Sequence, residues 1–190
     1  MVLQNSLLEK ITELKIEQLQ TTLQDISIQH WLNYELFTWQ WWFKLILVTI
    51  ALIMLFKLID KKNLFKILTF GFIIGLIAIT LDNIGINFVL WDYPIRFLPI
   101  EFFIFHDTIL VPVTFMLIFQ YFPKWDKFII VQVLLSVFGA FIVEPFYVLI
   151  GIYKQITWQH IYSFIMYILI AIVCKFITDK LNDVYIKNQI

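Results

Sequence analysis

The 190-residue chain is 61% hydrophobic and 15% charged, and its 14 basic and 14 acidic residues give a formal net charge of zero. Soluble domains are about 45 to 50% apolar and about 25% charged, so the composition excludes an ordinary soluble fold. A neutral chain without a run of basic residues also lacks the electrostatic field that nucleic acid requires. The composition therefore predicts a protein whose main partner is the lipid bilayer, with no nucleic acid.

Residues 1–38 precede the long apolar blocks and divide into two parts. Between residues 5 and 28 the apolar positions recur at intervals of three and four with one slip: Leu7, Ile11, Leu14, Ile16, Leu19, Leu23 and Ile26. This period predicts an amphipathic helix that is too polar to span a membrane. Residues 30–42 are rich in Trp and Tyr, which is typical of a membrane interface. We expect the helix to lie on its own bundle or on a partner, with a homo-oligomer or the membrane surface as alternatives.

Five apolar blocks follow, and each approaches the roughly 20 residues that a helix needs to cross a hydrocarbon core about 30 Å thick. They cover residues 41–58, 67–91, 97–122, 128–150 and 156–177. The sequence therefore predicts an all-α, polytopic membrane helix bundle of about five transmembrane helices over residues 39–180, with a tail at 181–190.

The distribution of basic residues predicts the orientation, because Lys and Arg in short loops favour the cytoplasmic side. Four lysines follow the first block, and further lysines follow the third and the fifth: Lys57, Lys61, Lys62, Lys66, Lys124, Lys127, Lys175, Lys180 and Lys187. These residues share one side if all five blocks span. We therefore expect an N-terminus outside the cell membrane and a cytoplasmic tail. If the first block does not span, the N-terminus moves inside.

Four of the predicted spans each place an ionisable residue in the outer half of the bilayer, namely Asp82, Asp107, Glu144 and His160. Each costs about 2.5 to 3.5 kcal/mol on insertion scales, so such residues normally face the bundle interior or a wet cavity. Counted from the predicted outer helix ends, all four lie roughly 6 to 15 Å deep. We predict that they converge in one polar layer in the outer half of the bundle.

Neighbouring residues extend this layer. Helical spacing places Tyr147 near Glu144 and Ser163 near His160, and the segment after the second block forms a lip in which Arg96 supplies a counter-charge. The full candidate set for a ligand or proton site is Asp82, Asn83, Asp92, Arg96, Glu101, His106, Asp107, Glu144, Tyr147, His160 and Ser163. Pro112 and Pro145 interrupt two of the helices close to the acids.

Three functions are compatible with this pattern. An outward-facing acidic layer fits a proton-linked, small-cation or polar-ligand transporter component or sensor, because acids at one depth are expensive if they only join helices. The second is a structural or assembly protein whose polar network is static. The third is a metal-dependent membrane hydrolase using His106, Asp107, Glu144 and His160, although no H-E-x-x-H motif supports it. The sequence favours a protein that is not an enzyme, indicates no cofactor or metal, and leaves any catalytic residue unknown.

The order of several short motifs resembles an uncharacterised family of small multi-pass membrane proteins from spore-forming Gram-positive bacteria. The motifs are Leu90-Trp91-Asp92-Tyr93-Pro94, Asp107 with Val111-Pro112, Glu144-Pro145, and Trp158-Gln159-His160-Ile161-Tyr162-Ser163. The resemblance covers about residues 41–178. It implies a plasma or spore membrane location and places Asp92, Asp107, Glu144 and His160 in one pattern, but it implies no activity.

Overall fold

A computed structural model describes residues 2–99 and 106–187, and the side chains of residues 10–99 and 108–187. The helices are α1 (Val2–His30), α2 (Trp39–Leu58), α3 (Leu64–Asn87), α4 (Val111–Tyr121), α5 (Trp125–Phe138), α6 (Glu144–Leu149) and α7 (His160–Lys187). Two short strands, β1 (Trp91–Asp92) and β2 (Lys154–Gln155), pair antiparallel. The predicted all-α class is confirmed.

Four helical segments are long and apolar enough to cross a membrane, judged by length and composition: Trp39–Leu58, Lys61–Asn87, Trp125–Leu149 and His160–Lys187. A fifth apolar helical segment, Thr108–Tyr121, is shorter. At about 1.5 Å per residue it reaches about 21 Å, less than the roughly 30 Å hydrocarbon core. Within the third predicted block, residues 97–122, the described chain is helical from His106 to Tyr121 and not helical at residues 97–99, and residues 100–105 lie outside the described residues.

The outer surface of these helices is apolar. Phe65 is 85% exposed and Phe72 is 74% exposed, and exposed Leu, Ile and Phe side chains continue along α2, α5 and α7. Soluble monomers rarely expose continuous apolar surface on this scale. The surface is suited to contact with lipid chains, in agreement with a membrane helix bundle.

Both helix-interrupting prolines follow a π-helical turn. Residues His106–Leu110 form such a turn before α4, and Gly139–Val143 form another between α5 and α6. Pro112 and Pro145 are each the second residue of the α-helix that follows. Proline has no N–H to donate and its ring clashes with the carbonyl one turn earlier, so it is tolerated where a new helical turn begins. The predicted interruptions are therefore local changes of helical pitch.

The packed core lies on the face of α3 that meets α4 and α7, with Phe128 of α5 beside it. Phe70 stacks on Phe119 with 4.2 Å between ring centroids and meets Phe128 edge-on at 6.2 Å. A Cβ on Gly71 would overlap the sulfur of Met116, so the Met116 side chain occupies the space that this glycine leaves between α3 and α4. α3 thus packs mainly against α4 and α7.

The connections between helices gather at two ends of the bundle. The Gln120 amide donates to the Leu58 carbonyl at 2.7 Å, which joins the α2–α3 and α4–α5 connections at one end. The β1–β2 pair joins the connections after α3 and after α6 at the other end. The lysine-rich connections thus lie together at one end of the bundle. The antiparallel β1–β2 pair, which we call the ribbon, lies at the opposite end.

A buried lysine holds helices together at the lysine-rich end of the bundle. Lys175 Nζ donates to the Pro123 carbonyl at 3.0 Å and lies 3.3 Å from the carboxylate of Asp179. Its ammonium also lies over three aromatic rings, 4.7 to 5.1 Å from their centroids: Phe119, Trp125 and Phe128. Cation–π contacts of this kind stabilise a desolvated ammonium. The charge therefore joins α7 to the α4–α5 connection.

Helix α1 does not lie on the bundle. Every residue from 10 to 26 is exposed, including the apolar Leu19 and Leu23. The expectation that this helix lies on its own bundle is wrong. The 29-residue helix joins the bundle only at its C-terminal end, so its apolar positions lie away from the core. A partner, a second copy or a membrane surface remains to cover them.

The non-helical chain at residues 95–97 is held in place by side chains from residues 31–44. Non-helical backbone at membrane depth is tolerated only where the protein satisfies its polar groups. Side chains meet that requirement at four backbone groups of residues 95–97. Lys44 Nζ donates to the Ile95 carbonyl, Glu35 accepts from the Arg96 N–H, Trp31 Nε1 donates to the Arg96 carbonyl at 3.2 Å, and Trp41 Nε1 donates to the Phe97 carbonyl at 3.0 Å. We call these seven residues the clamp.

Candidate functional site

The site begins at the strained turn that ends α3. The Leu90 N–H donates to the Gly85 carbonyl and the Val89 N–H to the Ile86 carbonyl, each at 2.9 Å, which is the Schellman pattern of a helix C-terminus. Val89 occupies its left-handed position with φ of 57°, a conformation that normally requires glycine. The turn persists because the Leu90 carbonyl accepts three backbone N–H groups, from residues 156–158, at 3.0 to 3.2 Å.

This turn directs two aromatic side chains back onto α3. Trp91 and Tyr93 alternate along an extended segment, so both can point to the same side. A Cβ on Gly85 would lie 2.0 Å from the Trp91 ring, so the absence of a side chain there lets the indole lie against the helix. Trp91 Nε1 then donates to Asp82 Oδ1 at 2.7 Å, and the Tyr93 hydroxyl donates to the same oxygen at 3.0 Å.

Asp82 is left with one oxygen unused. The residue is 7% exposed, and its Oδ2 atom is buried without a hydrogen-bond partner among the described residues. Buried polar atoms in native proteins are nearly always paired, so an unpaired carboxylate oxygen is a rare feature. A donor supplied by a ligand would satisfy it.

Glu144 is paired at both oxygens. It is the first residue of α6, directly after the π-helical turn, and it is buried. Its Oε1 accepts from the Tyr167 hydroxyl at 2.6 Å, and its Oε2 lies 2.9 Å from His160 Nδ1. The same nitrogen lies 2.9 Å from the Gln155 amide on β2. With its side chain 26% exposed, His160 connects the buried carboxylate to the ribbon and the surface.

Asp82 and Glu144 line the same cavity of about 440 Å³, between α3, α4, α5–α6 and α7. Its volume is within the range of about 300 to 1,000 Å³ that small-molecule sites occupy. Most of the wall is apolar. The polar residues near its ribbon end are Asp82, Tyr93, Glu144, Tyr147, Tyr153, Ser163 and Tyr167. An apolar cavity with a few convergent polar groups at one end can orient a ligand, because hydrogen bonds and charges act strongly in a low dielectric.

Five predicted site residues are brought together. Asp82, Glu144, Tyr147 and Ser163 line the cavity, and His160 is bonded to Glu144. The Ser163 hydroxyl also accepts from Trp158 Nε1 at 2.9 Å. This bond ties the connection between β2 and α7 to the start of α7, beside the cavity.

The other candidates lie elsewhere or outside the described residues. The Asn83 amide donates to the Ile79 carbonyl of its own helix, and Asp92 is exposed with its carboxylate accepting from the Tyr93 N–H. Glu101 falls in residues 100–105, which are not described, and the side chains of His106 and Asp107 are not described either. The placement of those three candidates therefore stays a prediction.

Arg96 has a different partner from the one expected. Its Nη2 donates to Glu35 Oε1 at 2.6 Å, and its Nε lies 3.2 Å from both carboxylate oxygens. Among the described acids Arg96 pairs with Glu35, so the predicted counter-charge role is wrong for Asp82 and Glu144. For Asp107, whose side chain is not described, that role stays a prediction. Burial alone would raise the pKa of Glu35, but hydrogen bonds from Arg96 and His30 and the Arg96 charge hold that pKa below its ordinary value of 4.5.

Sequence reasoning missed Glu35 and the donors to Asp82. A lone acid among interfacial aromatic residues was a usable signal for Glu35, since a buried carboxylate requires a cation or several donors. The alternation of Trp91 and Tyr93 was a signal for two side chains on one side of an extended segment. The strained Val89 turn that directs them toward α3 had no signal in the sequence.

Among the side chains that the structure describes, no group of three or more His, Cys, Asp or Glu is arranged to hold a metal ion. No protein-family model, curated protein or solved structure matches the chain. The resemblance to a family of spore-forming bacteria therefore stays a prediction, and the function is inferred from the cavity alone.

Proposed function

We propose that this chain is a multi-pass cell-membrane protein that binds a small cationic or polar ligand at the acidic end of its cavity, as a transporter component or a sensor. The observation that carries the proposal is Asp82 Oδ2, a buried carboxylate oxygen without a partner among the described residues, on the wall of a 440 Å³ cavity. A ligand that donates to this oxygen would complete the site.

The alternative is a static polar network that holds the helices in register. Glu144 fits that alternative, because Tyr167 and His160 occupy both of its oxygens. Asp82 fits it less well, since a static network gains most when every buried group is paired, and Asp82 Oδ2 is an unpaired oxygen on the cavity wall. The unequal satisfaction of the two acids supports ligand binding over a purely structural role.

The same proposal includes five crossings, with the segment containing α4 as the third, and a ribbon that faces the outside. Its support is the grouping of the lysine-rich connections at the opposite end, since positively charged short loops favour the cytoplasm. The exposed helix α1 then lies outside and contacts a partner membrane protein or a second copy of the chain. Membership of the spore-former family belongs to this proposal too, and it rests on the motifs alone.

The proposal can be tested with one cysteine introduced in the cavity and one native cysteine in the packed core, at two nearly equally buried positions. Ser136 is 1% exposed and lines the cavity, whereas the native Cys174 is 0% exposed and lies in the packed core. A Ser136→Cys variant in a Cys174→Ala background and the wild-type protein would be purified into lipid nanodiscs. Each would be treated with the cationic aminoethyl and the anionic sulfonatoethyl methanethiosulfonates, and modification would be followed by mass spectrometry.

A reachable acidic cavity predicts modification at position 136 and none at Cys174, because these reagents attack thiolates that water can reach. The cationic reagent should react several-fold faster than the anionic one, and Asp82→Asn should remove most of that preference. Equal protection of both thiols, or modification without any charge preference, would support the static network instead.

A further inference from the structure

We propose that the ligand is an amphiphile with a protonated amine headgroup and a hydrocarbon tail, and that it enters the cavity from the lipid side of the bundle. This inference rests on the proposed function and specifies the chemistry of the ligand. It follows from three features of the cavity: its unpaired acceptor, the apolar wall below that acceptor, and its opening between α4 and α5.

The headgroup is indicated by what Asp82 lacks. Trp91 and Tyr93 already donate to Oδ1, so the oxygen left for a ligand is Oδ2. A protonated primary amine offers three N–H donors and a positive charge, and a charge-assisted hydrogen bond is roughly twice as strong as a neutral one. A quaternary ammonium has no N–H to donate, and an alcohol has no charge. The geometry therefore favours the protonated amine.

Aromatic rings around the acid favour the same headgroup. Trp91 and Trp158 meet edge-on with 4.8 Å between ring centroids, and Tyr93 and Tyr153 lie 5.5 Å apart, and all four line the cavity. Aromatic faces attract cations most strongly where water is excluded. They provide a second attraction for the charge beside the Asp82 carboxylate.

The tail is indicated by the rest of the wall. Away from the ribbon end the lining is mostly aliphatic and aromatic, with Ala78 on α3, Leu135 on α5 and Ile170 on α7 as examples. Burying hydrocarbon against such residues contributes about 25 cal/mol per Å² of apolar surface. A small inorganic cation would leave this surface unused, whereas an alkyl chain would cover it.

The route is indicated by residues that belong to both the cavity and the outer surface. Thr114 on α4 and Phe138 on α5 line the cavity and are both exposed. The cavity therefore reaches the lipid-facing surface between these two helices, while Trp91 and Tyr93 cover Asp82 at the ribbon end. An amphiphile already dissolved in the bilayer can enter tail and head together by this opening.

The test uses decylamine carrying a photoreactive diazirine in its chain, with the full-length protein in lipid nanodiscs. Irradiation followed by peptide mass spectrometry locates the labelled residues. We expect saturable labelling of cavity residues such as Leu135 and Met166. Unlabelled decylamine should compete at least tenfold more effectively than decanol or decyltrimethylammonium.

Three variants make the result specific. Asp82→Asn should reduce the competing strength of decylamine to that of decanol, while Asp92→Asn, an exposed acid ten residues later on the ribbon, should leave it unchanged. Ala78→Phe places a ring in the cavity one helical turn below Asp82 and should abolish saturable labelling with Asp82 intact. The melting temperature of each variant establishes that it is folded.

Saturable cavity labelling with equal competition by decanol would overturn the amine headgroup and leave the binding site standing. If Ser136→Cys reacts with the charged reagents but no alkyl probe labels the cavity, the amphiphile inference fails and the proposed function survives. If the thiol is protected and the cavity is unlabelled, both fail together.

Discussion

The carboxylate of Glu35 and the guanidinium of Arg96 form a two-pronged ion pair across 61 residues of sequence, with 2.6 Å between Arg96 Nη2 and Glu35 Oε1. Glu35 also accepts from the backbone N–H of Arg96. The pair thus joins the turn before α2 to the non-helical chain at residues 95–97.

Replacing Glu35 by Gln should lower the stability of the folded protein. Removing one partner of a buried ion pair costs about 3 to 5 kcal/mol, and the partial exposure of Arg96 places the expected loss near the lower limit. The measurement is the unfolding midpoint in detergent, with Glu17→Gln on the exposed part of α1 as the control. Equal stability of the two variants would show that the clamp does not hold the fold.

The Glu35 pair should also make stability depend on pH. Because the pKa of Glu35 is lowered in the folded protein, its contribution is fully present above the ordinary value of 4.5 and is lost as the pH falls through the lowered pKa. The difference in midpoint between wild type and Glu35→Gln should be constant from neutral pH to about 5 and should shrink below it. A difference that grows on acidification would contradict the assigned sign.

The proposed orientation predicts which loops are exposed outside the cell. Lys154 on the ribbon and Lys62 in the α2–α3 connection are both exposed, so a cysteine at either position is a suitable probe in a Cys174→Ala background. In intact cells an impermeant maleimide should label Lys154→Cys and spare Lys62→Cys, and membrane permeabilisation should expose the second. The reverse labelling pattern would show that the ribbon end of the bundle, and the cavity beside it, face the cytoplasm.

Helix α1 should be dispensable for insertion. A chain lacking residues 2–24 keeps Ser27, whose carbonyl accepts from Arg96 at 3.4 Å, and keeps the whole clamp. The remaining helices should therefore insert and fold, while any complex with a second copy or a partner should weaken, as measured by crosslinking and by mass in detergent. Loss of membrane insertion would instead make α1 part of the insertion signal.

The sequence was informative where the hydropathy of a residue or a run of residues was enough for the prediction. The apolar blocks located α2, α3, the α5–α6 pair and α7, because a run of about 20 apolar residues is rare outside membrane-spanning helices. The cost of charge in lipid located Asp82 and Glu144, both of which the structure places on one cavity wall. Those predictions needed only the nature of each residue and its position along the chain.

The sequence was uninformative where a residue is positioned by tertiary contacts. Arg96 lies beside Glu35 because the chain at residues 95–97 is not helical and the clamp holds it, and hydropathy does not reveal those contacts. The direction of Trp91 depends on the left-handed Val89 turn and on the bare backbone of Gly85, which no local pattern predicts. Helix α1 has apolar positions at helical intervals, but periodicity does not say what covers them.

The unpaired oxygen of Asp82 can be tested by comparing Asp82→Asn with Glu144→Gln in the absence of ligand. Asparagine retains a carbonyl oxygen for Trp91 and Tyr93, so no described hydrogen bond is lost. Glutamine at position 144 turns one accepting oxygen into a donor facing Tyr167 or His160, which should cost about 1 to 3 kcal/mol.

The most direct measurement is the unfolding midpoint of these two variants, at about 2 to 4 °C per kcal/mol for a chain of this size. We expect Asp82→Asn to unfold at or above the wild-type temperature and Glu144→Gln to unfold several degrees below it. A loss in Asp82→Asn as large as that in Glu144→Gln would show that the Asp82 carboxylate stabilises the fold, and would contradict its assignment as the ligand-binding group.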